Sequence, residues 1–265
     1  MVSIFPTRCP LWLAPVALIL AACEGTAPQA SQPLSLSVTT KGTSGVPVPA
    51  GSGMSAAIQI GSGANSLTIT QAQVVLARIE LSTAGSCPTT GEADDCAELQ
   101  LGPTLVDLPV DATTQVMLVD VAVPAGTYSG VQAKLDAVKP DDDEPGASAF
   151  LTAHPDFQGI SVKVTGVFTD ASNTTHDFTF TSEVDAEMEA RFEPPVTLAS
   201  DTKNFTIAVD IASWFKDASG AVIDPTNAAN AEAIAQNIER SARVFEDDNH
   251  DGVDDDQEQA GNHEP

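Results

Sequence analysis

Short segments that alternate apolar and polar residues, each closed by a turn signal, constrain this 265-residue chain more than any other feature. Over residues 74–81 the sequence reads VVLARIEL, which sets Val75, Ala77, Ile79 and Leu81 on one side and Arg78 and Glu80 on the other. Side chains of an extended strand point alternately to opposite faces, so a period of two marks a strand with one face buried and one face wet. Residues 128–138 repeat the pattern, with Val131, Ala133, Leu135 and Ala137 set against Gln132, Lys134 and Asp136. The turn Pro124-Ala125-Gly126-Thr127 joins that segment to an apolar run over 115–123. Further strands are predicted at 34–39, 56–60, 105–108, 159–169, 177–184, 196–199 and 205–214. Short strands separated by turns, without repeated strand–helix alternation, predict a mainly β chain: an antiparallel, Ig-like β-sandwich over residues 34–225 rather than a parallel sheet.

One C-terminal helix is predicted within residues 226–245. Thr226 or Asn227 can cap it, residues 228–243 contain no Gly or Pro, and Ala231, Ile234, Ala235, Ile238 and Ala242 share one face. Glu239 and Arg243 are spaced as an i,i+4 pair. Behind it, within the acidic tail 246–265, residues 247–258 read DDNHDGVDDDQE. In an EF-type calcium loop, oxygens at positions 1, 3, 5, 7, 9 and 12 converge on the ion and a glycine at 6 makes the sharp turn. Those positions are Asp247, Asn249, Asp251, the Val253 carbonyl, Asp255 and Glu258, with Gly252 sixth. Asp254 replaces the usual apolar residue at the eighth position, and only seven residues follow Glu258, so an exiting helix is not expected. The loop resembles the solitary extracellular calcium loops of thrombospondin type 3 and dockerin repeats, which implies a weak, structural calcium site entered by the preceding helix. A solvated acidic tail is the plain alternative.

The N-terminus gives an address. Arg8 precedes the apolar run LWLAPVALIL at 11–20, which Pro15 interrupts and which is too short for a spanning helix of ~20 residues. It ends in Leu20-Ala21-Ala22-Cys23, which resembles a bacterial lipobox. The resemblance implies a signal peptide over 1–22, cleavage before Cys23, and acylation of Cys23 by diacylglycerol and then a third chain. Residues 23–33, rich in small polar residues and proline, then read as a flexible lipidated tether. Glu24 follows the cysteine, where Asp would resemble an inner-membrane retention signal, so an outer-membrane lipoprotein of the cell envelope is the expectation.

Cleavage removes one Arg and no acid, taking the formal charge from −26 to −27. Such a surface repels phosphate backbones and anionic headgroups, which excludes nucleic acid and leaves the lipid as the membrane link. Basic proteins, neutral glycans and cations remain as partners. Trp214 and Tyr128 are the only Trp and Tyr after residue 22, so platforms for stacking sugars are scarce. Cys87 and Cys96 flank the turn-rich stretch PTTGEADD and are the candidate disulfide of an oxidising compartment. Such a bridge would contribute about 2.5–3 kcal/mol on the chain-entropy account. A metal or redox pair lacks CxxC spacing and a nearby His.

The stretch LTITQAQVVLARIEL, with LVDLPVDATTQVMLVDVAVPAGTYSGVQAKLDAV, resembles an uncharacterised lipoprotein domain found in many bacteria, in which an ITxAxVxL strand, a VDL strand and an LPAGxYxxxxL hairpin recur. The closing FTIAVDIASWFKDASGAVIDP and FEDDNHDGVDD resemble the ends of exported lipoproteins. This implies a transthyretin-like or carbohydrate-binding-like sandwich and carries no activity. Other chemistry is thin. Asp141-Asp142-Asp143-Glu144 reads as an exposed acidic turn between Pro140 and Pro145-Gly146, and the four His show no ligand spacing. No GxSxG elbow, P-loop or dinucleotide-binding glycine set occurs. The leading expectation is a non-enzymatic, lipid-anchored binding or structural module. The rival is a hydrolase or metal-dependent enzyme with scattered acids on sandwich loops.

Overall fold

The computed structural model describes residues 31–40, 46–48, 56–61, 65–84, 97–110, 115–198 and 203–255. Cys23, the signal segment, the Cys87–Cys96 pair and Glu258 lie outside the described residues. In chain order the strands are β1 (Ser31–Thr39), β2 (Val46–Val48), β3 (Ala57–Ile60), β4 (Ser66–Thr83), β5 (Ala97–Leu101) and β6 (Thr104–Leu108). They continue as β7 (Gln115–Pro124), β8 (Gly126–Leu135), β9 (Val162–Thr169), β10 (Thr175–Ser182), β11 (Ala186–Leu198), β12 (Lys203–Val209) and β13 (Ala242–Glu246). Three short helices interrupt them: α1 (Ala147–Ala153), α2 (Ile211–Trp214) and α3 (Ala231–Glu239).

The strands form two sheets of a β-sandwich. One has the order β13-β12-β1-β7, and the other is built around β4. Eighteen residues long, β4 pairs with β9 and then β8 along one edge, and with β3, β6 and β5 along the other. Pairing is antiparallel except between β1 and β12, which run parallel, so the expected all-antiparallel pattern is corrected at that pair. Apolar side chains from both sheets meet in one core: Leu36 and Ile207 from the first, Ile69, Leu76 and Val164 from the second, with Trp214 and Phe215 beside them. Residues 131–137 alternate as predicted, with Val131, Ala133, Leu135 and Ala137 buried. Tyr128, also buried, donates its hydroxyl to the Pro124 carbonyl at 2.6 Å and pins the crossing from β7 to β8. Tyr128→Phe is expected to lower stability by about 1 kcal/mol in a urea melt, because the ring stays buried and one net hydrogen bond is lost.

The alternation expected over 74–81 breaks at a bulge. Leu67 and Ile69 face the main core, then Ala72, Val74 and Leu76, then Ile79 and Leu81. Register shifts between Ile69 and Gln71, and between Leu76 and Arg78, account for the two changes of phase. Each bulge inserts one residue and so flips every later side chain to the other face. Val75 therefore points away from Ile79 and Leu81, into a second cluster with Val138, Ala147, Phe150 and Phe157.

Four further expectations change. The strand expected at 196–199 is the end of β11, whose Met188 and Phe192 are buried between exposed Glu187, Glu189 and Glu193. The strand expected over 205–214 stops at Val209, where Asp210 caps α2 by accepting the Ser213 N–H at 3.2 Å. The helix expected over 228–243 is a 3₁₀ turn, Ala228–Asn230, capped by the Asn227 side chain, followed by α3. Ile234 and Ile238 of α3 are buried as its apolar face required. From Ala242 the chain leaves the helix and pairs with β12, so Glu239 and Arg243 do not form a helical pair and the sheet runs on to Glu246. At the other end β1 begins at Ser31, within the segment read as tether.

Candidate metal centre

Strand β13 delivers the acidic loop directly, so a strand rather than a helix enters it. That corrects the expected entering helix, and the physical reason is that Arg243, Val244 and Phe245 extend to pair with Ala208, Ile207 and Thr206. The Asp247 N–H then donates to the Asn204 carbonyl at 2.9 Å, which holds the start of the loop to β12.

A polar network underlies this junction. On β1, Ser35, Ser37 and Thr39 alternate with the core residues Leu34, Leu36 and Val38, so they lie on the sheet's other face, yet they too are buried. In register with them are Asn204 and Thr206 of β12. Asn204 Oδ1 accepts from both serine hydroxyls, at 2.9 and 3.0 Å, while its Nδ2 donates to the Asp247 carbonyl at 2.9 Å. Thr206 donates its hydroxyl to Asp247 Oδ2 at 2.8 Å. Asp247 is thus docked on β12, whose Asn204 is held in turn by the β1 serines.

Around that residue the backbone coils. Asp247 is 0% exposed, and its carboxylate accepts the Asp251 N–H at 2.9 Å and the Gly252 N–H at 3.1 Å as well as the Thr206 hydroxyl. His250 and Gly252 adopt φ of 58° and 78°, alternating left-handed residues that turn successive N–H groups inward. Glycine at the sixth position meets that demand without a Cβ penalty. Asn249 Oδ1 accepts from the Asp251 N–H and Asp251 Oδ1 from the Val253 N–H, each at 2.8 Å. Asp255 Oδ2 closes the coil by accepting the Asp248 N–H at 2.9 Å. The described positions of the predicted set, Asp247, Asn249, Asp251, Val253 and Asp255, thus lie in one hydrogen-bonded turn of oxygen-bearing residues, but Asp247, Asp251 and Asp255 are not brought within 4.8 Å of one another as a ligand group. That donor chemistry suits a hard cation.

The loop's other acids form a group that spacing did not reveal. Ligand oxygens of Glu246, Asp248 and Asp255 all lie within 4.8 Å of one another, an arrangement able to hold a metal ion. Of these only Asp255 belongs to the predicted set. Lys203, at the start of β12, hydrogen-bonds both Glu246 Oε1 and Asp248 Oδ2, and Asp248 Oδ1 also accepts the Asn204 N–H at 3.1 Å. Burial disfavours the Lys203 ammonium, but hydrogen bonds to Asp248 and Glu246, with their charges, outweigh it and hold its pKa above the ordinary lysine range. The Glu246 carboxyl moves the other way from an ideal ion pair. Burial and the charge of Asp248 push it up, and Lys203 only partly draws it back. That both shifts run upward describes one crowded arrangement in which acids outnumber the ammonium. Sequence offered a signal for the acids, in the run at 246–248, but none for Lys203, more than forty residues away.

The acidic turn at 141–144 lies elsewhere, beside a cavity of about 340 Å³ lined by Arg78, Lys134, Asp136 and Glu144. There Lys139 N–H donates to Asp142 Oδ2 at 2.6 Å, and Arg78 Nε lies 3.4 Å from Glu80 and 3.7 Å from Glu144.

Fold and site together define an acidic β-sandwich with an acidic group able to hold a metal ion at the end of its last described strand. No family model and no curated protein matches this chain. Among solved structures it is similar to MbnP from Methylosinus trichosporium, at 15% identity and a TM-score of 0.34, over 76% of this chain and 82% of that chain.

Proposed function

We propose that this protein is a lipid-anchored envelope module, acting by binding or by structural support rather than by catalysis, whose C-terminal loop is braced by calcium. The observation that carries the calcium reading is the acidic group Glu246, Asp248 and Asp255, whose ligand oxygens lie within 4.8 Å of one another beside the hydrogen-bonded turn around buried Asp247. The lipobox at 20–23 supports the address, and the strongly acidic composition supports a basic protein or neutral glycan as ligand and argues against nucleic acid. Extracellular loops of this kind bind with Kd of ~10⁻⁴–10⁻³ M. At ~1 mM calcium and a Kd of ~10⁻⁴ M, linkage contributes about 1.4 kcal/mol, enough to tighten a terminal segment.

Two measurements test the proposal. In a bacterial host, the full chain is expected to incorporate labelled palmitate and to partition into detergent, and Cys23→Ser to do neither. An unlabelled wild-type chain in the aqueous phase sinks the anchor. Calorimetric titration of the protein with calcium is expected to show one weak site and a rise of a few degrees in melting temperature. No heat at millimolar calcium returns the loop to a solvated acidic tail.

A second reading, hydrolysis by acids on sandwich loops, is favoured by one feature. In the cavity beside the acidic turn, Glu144 Oε1 is buried without a hydrogen-bond partner and lies 3.7 Å from Arg78 Nε. Turnover of glycosides or esters that disappears in Glu144→Gln would establish it, and an inactive wild-type protein dismisses it.

A further inference from the structure

Lys203 stands at the boundary between sandwich and loop, half-buried, bonded at once to the last residue of β13 and the second residue of the loop. Its two partners and Asp255 bring three carboxylates within 4.8 Å of one another. Asp255 has two attachments: it is the ninth position of the predicted calcium loop, and it belongs to the acidic group that Lys203 neutralises in part. Without Lys203, Glu246, Asp248 and Asp255 would crowd three like charges at the edge of the protein, where repulsion is only partly screened. With it, the group retains a surplus of negative charge, and an ammonium lies against the same acids that would attract a divalent ion.

We propose that Lys203 is an internal counter-cation of the loop, holding Glu246 and Asp248 in place when calcium is absent and opposing calcium electrostatically when it is present. The premise is the calcium reading above. A lysine ammonium is a compact point charge with three donors, so it can bridge two carboxylates without enclosing them as a metal ion does. Docking by Lys203, Asn204 and Thr206 keeps the coil folded in the calcium-free protein, and calcium then tightens a loop that is already in place. The positive charge beside the site also lowers calcium affinity, which suits a loop that responds to millimolar rather than micromolar calcium.

The test is calcium titration by calorimetry, with melting temperatures, of the wild-type protein, Lys203→Met and Glu246→Gln. Methionine keeps the aliphatic stem and removes the charge. Lys203→Met is expected to melt at a lower temperature without calcium and to bind calcium about five-fold more tightly, as removal of a unit charge several ångströms from the ion predicts. Glu246→Gln removes an acid instead and is expected to bind more weakly. Wild-type binding with unchanged or weakened affinity in Lys203→Met overturns the counter-cation role and leaves the calcium reading intact. A wild-type protein that takes up no calcium overturns the calcium reading itself. If Lys203→Met does not fold, Lys203→Gln takes its place: tighter binding than wild type supports the role, and unchanged or weaker binding overturns it.

Discussion

Asp247→Ala is expected to destabilise the calcium-free protein by about 3 kcal/mol and to abolish the rise in melting temperature on adding calcium. Three donors converge on this one carboxylate: the Thr206 hydroxyl and the N–H groups of Asp251 and Gly252. Asp247 is fully buried, so alanine leaves those donors facing a gap that water must enter or the loop must leave. Each stranded buried donor costs on the order of 1–3 kcal/mol, and partial solvation of the loosened loop recovers some of the sum. Asp247→Asn separates charge from shape. Its single oxygen can keep some of the contacts, so its calcium-free stability should fall by about half as much, while the loss of charge still removes the calcium response. Urea melts with and without chelator read both quantities. A change below about 0.5 kcal/mol in Asp247→Ala would mean that the coil is not docked on β12.

How much of this was legible in the sequence depends on the range over which each feature is encoded. Alternation over 128–138 is a local property of an almost regular strand, and Val131, Ala133, Leu135 and Ala137 are buried as read. The same reasoning failed inside β4, because a bulge is made by the partner strands. Nothing local in VVLARIEL says that β8 requires an extra residue between Leu76 and Arg78. Strand β11 was hidden for a chemical reason. Pro194 and Pro195 deny a central ladder, and they fall where the pairing with β8 breaks register, between Arg191 and Val196. Strand β13 was hidden by helix propensity: on paper Ala242 extends the apolar face of α3 and Arg243 pairs with Glu239 one turn earlier, and only pairing with β12 draws them into a sheet.

The candidate site divides in the same way. Spacing alone singled out Asp247, Gly252 and Asp255 as candidates, because a calcium loop is written in consecutive residues. The supports of that loop, Ser35, Ser37, Lys203, Asn204 and Thr206, come from two strands far away in sequence. They became neighbours only when β1 and β12 paired in parallel. A sheet face carrying serine, asparagine and threonine reads as solvent-facing in sequence. Here it is buried, and its Asn204 and Thr206 supply hydrogen bonds to the buried Asp247.

The largest loss of stability is expected from Trp214→Ala, about 3–5 kcal/mol, which is a large share of the 5–15 kcal/mol that a domain of this size usually has. Trp214 is 0% exposed, the largest of the fully buried side chains, at the end of α2 between the sheets. Around it Val38, Leu76, Leu135, Met188, Ile207 and Ile238 come from both sheets and from α3, and a small apolar gap already adjoins them. Strands held by ladder hydrogen bonds cannot close on the space left by an indole, so most of the cavity persists. The polar end matters as well. Trp214 Nε1 donates to Ser241 Oγ at 2.6 Å, and Ser241 lies between α3 and β13, the strand that leads into the acidic loop. Removing the indole therefore weakens the core and the tie that sets where β13 begins. Trp214→Phe, which keeps most of the apolar volume and gives up the hydrogen bond, should cost about half as much. Denaturation followed by far-ultraviolet circular dichroism distinguishes the two without relying on tryptophan emission. A loss under about 1 kcal/mol in Trp214→Ala would show that the sheets can collapse onto the cavity, and that the side chain is not the wedge that holds them apart.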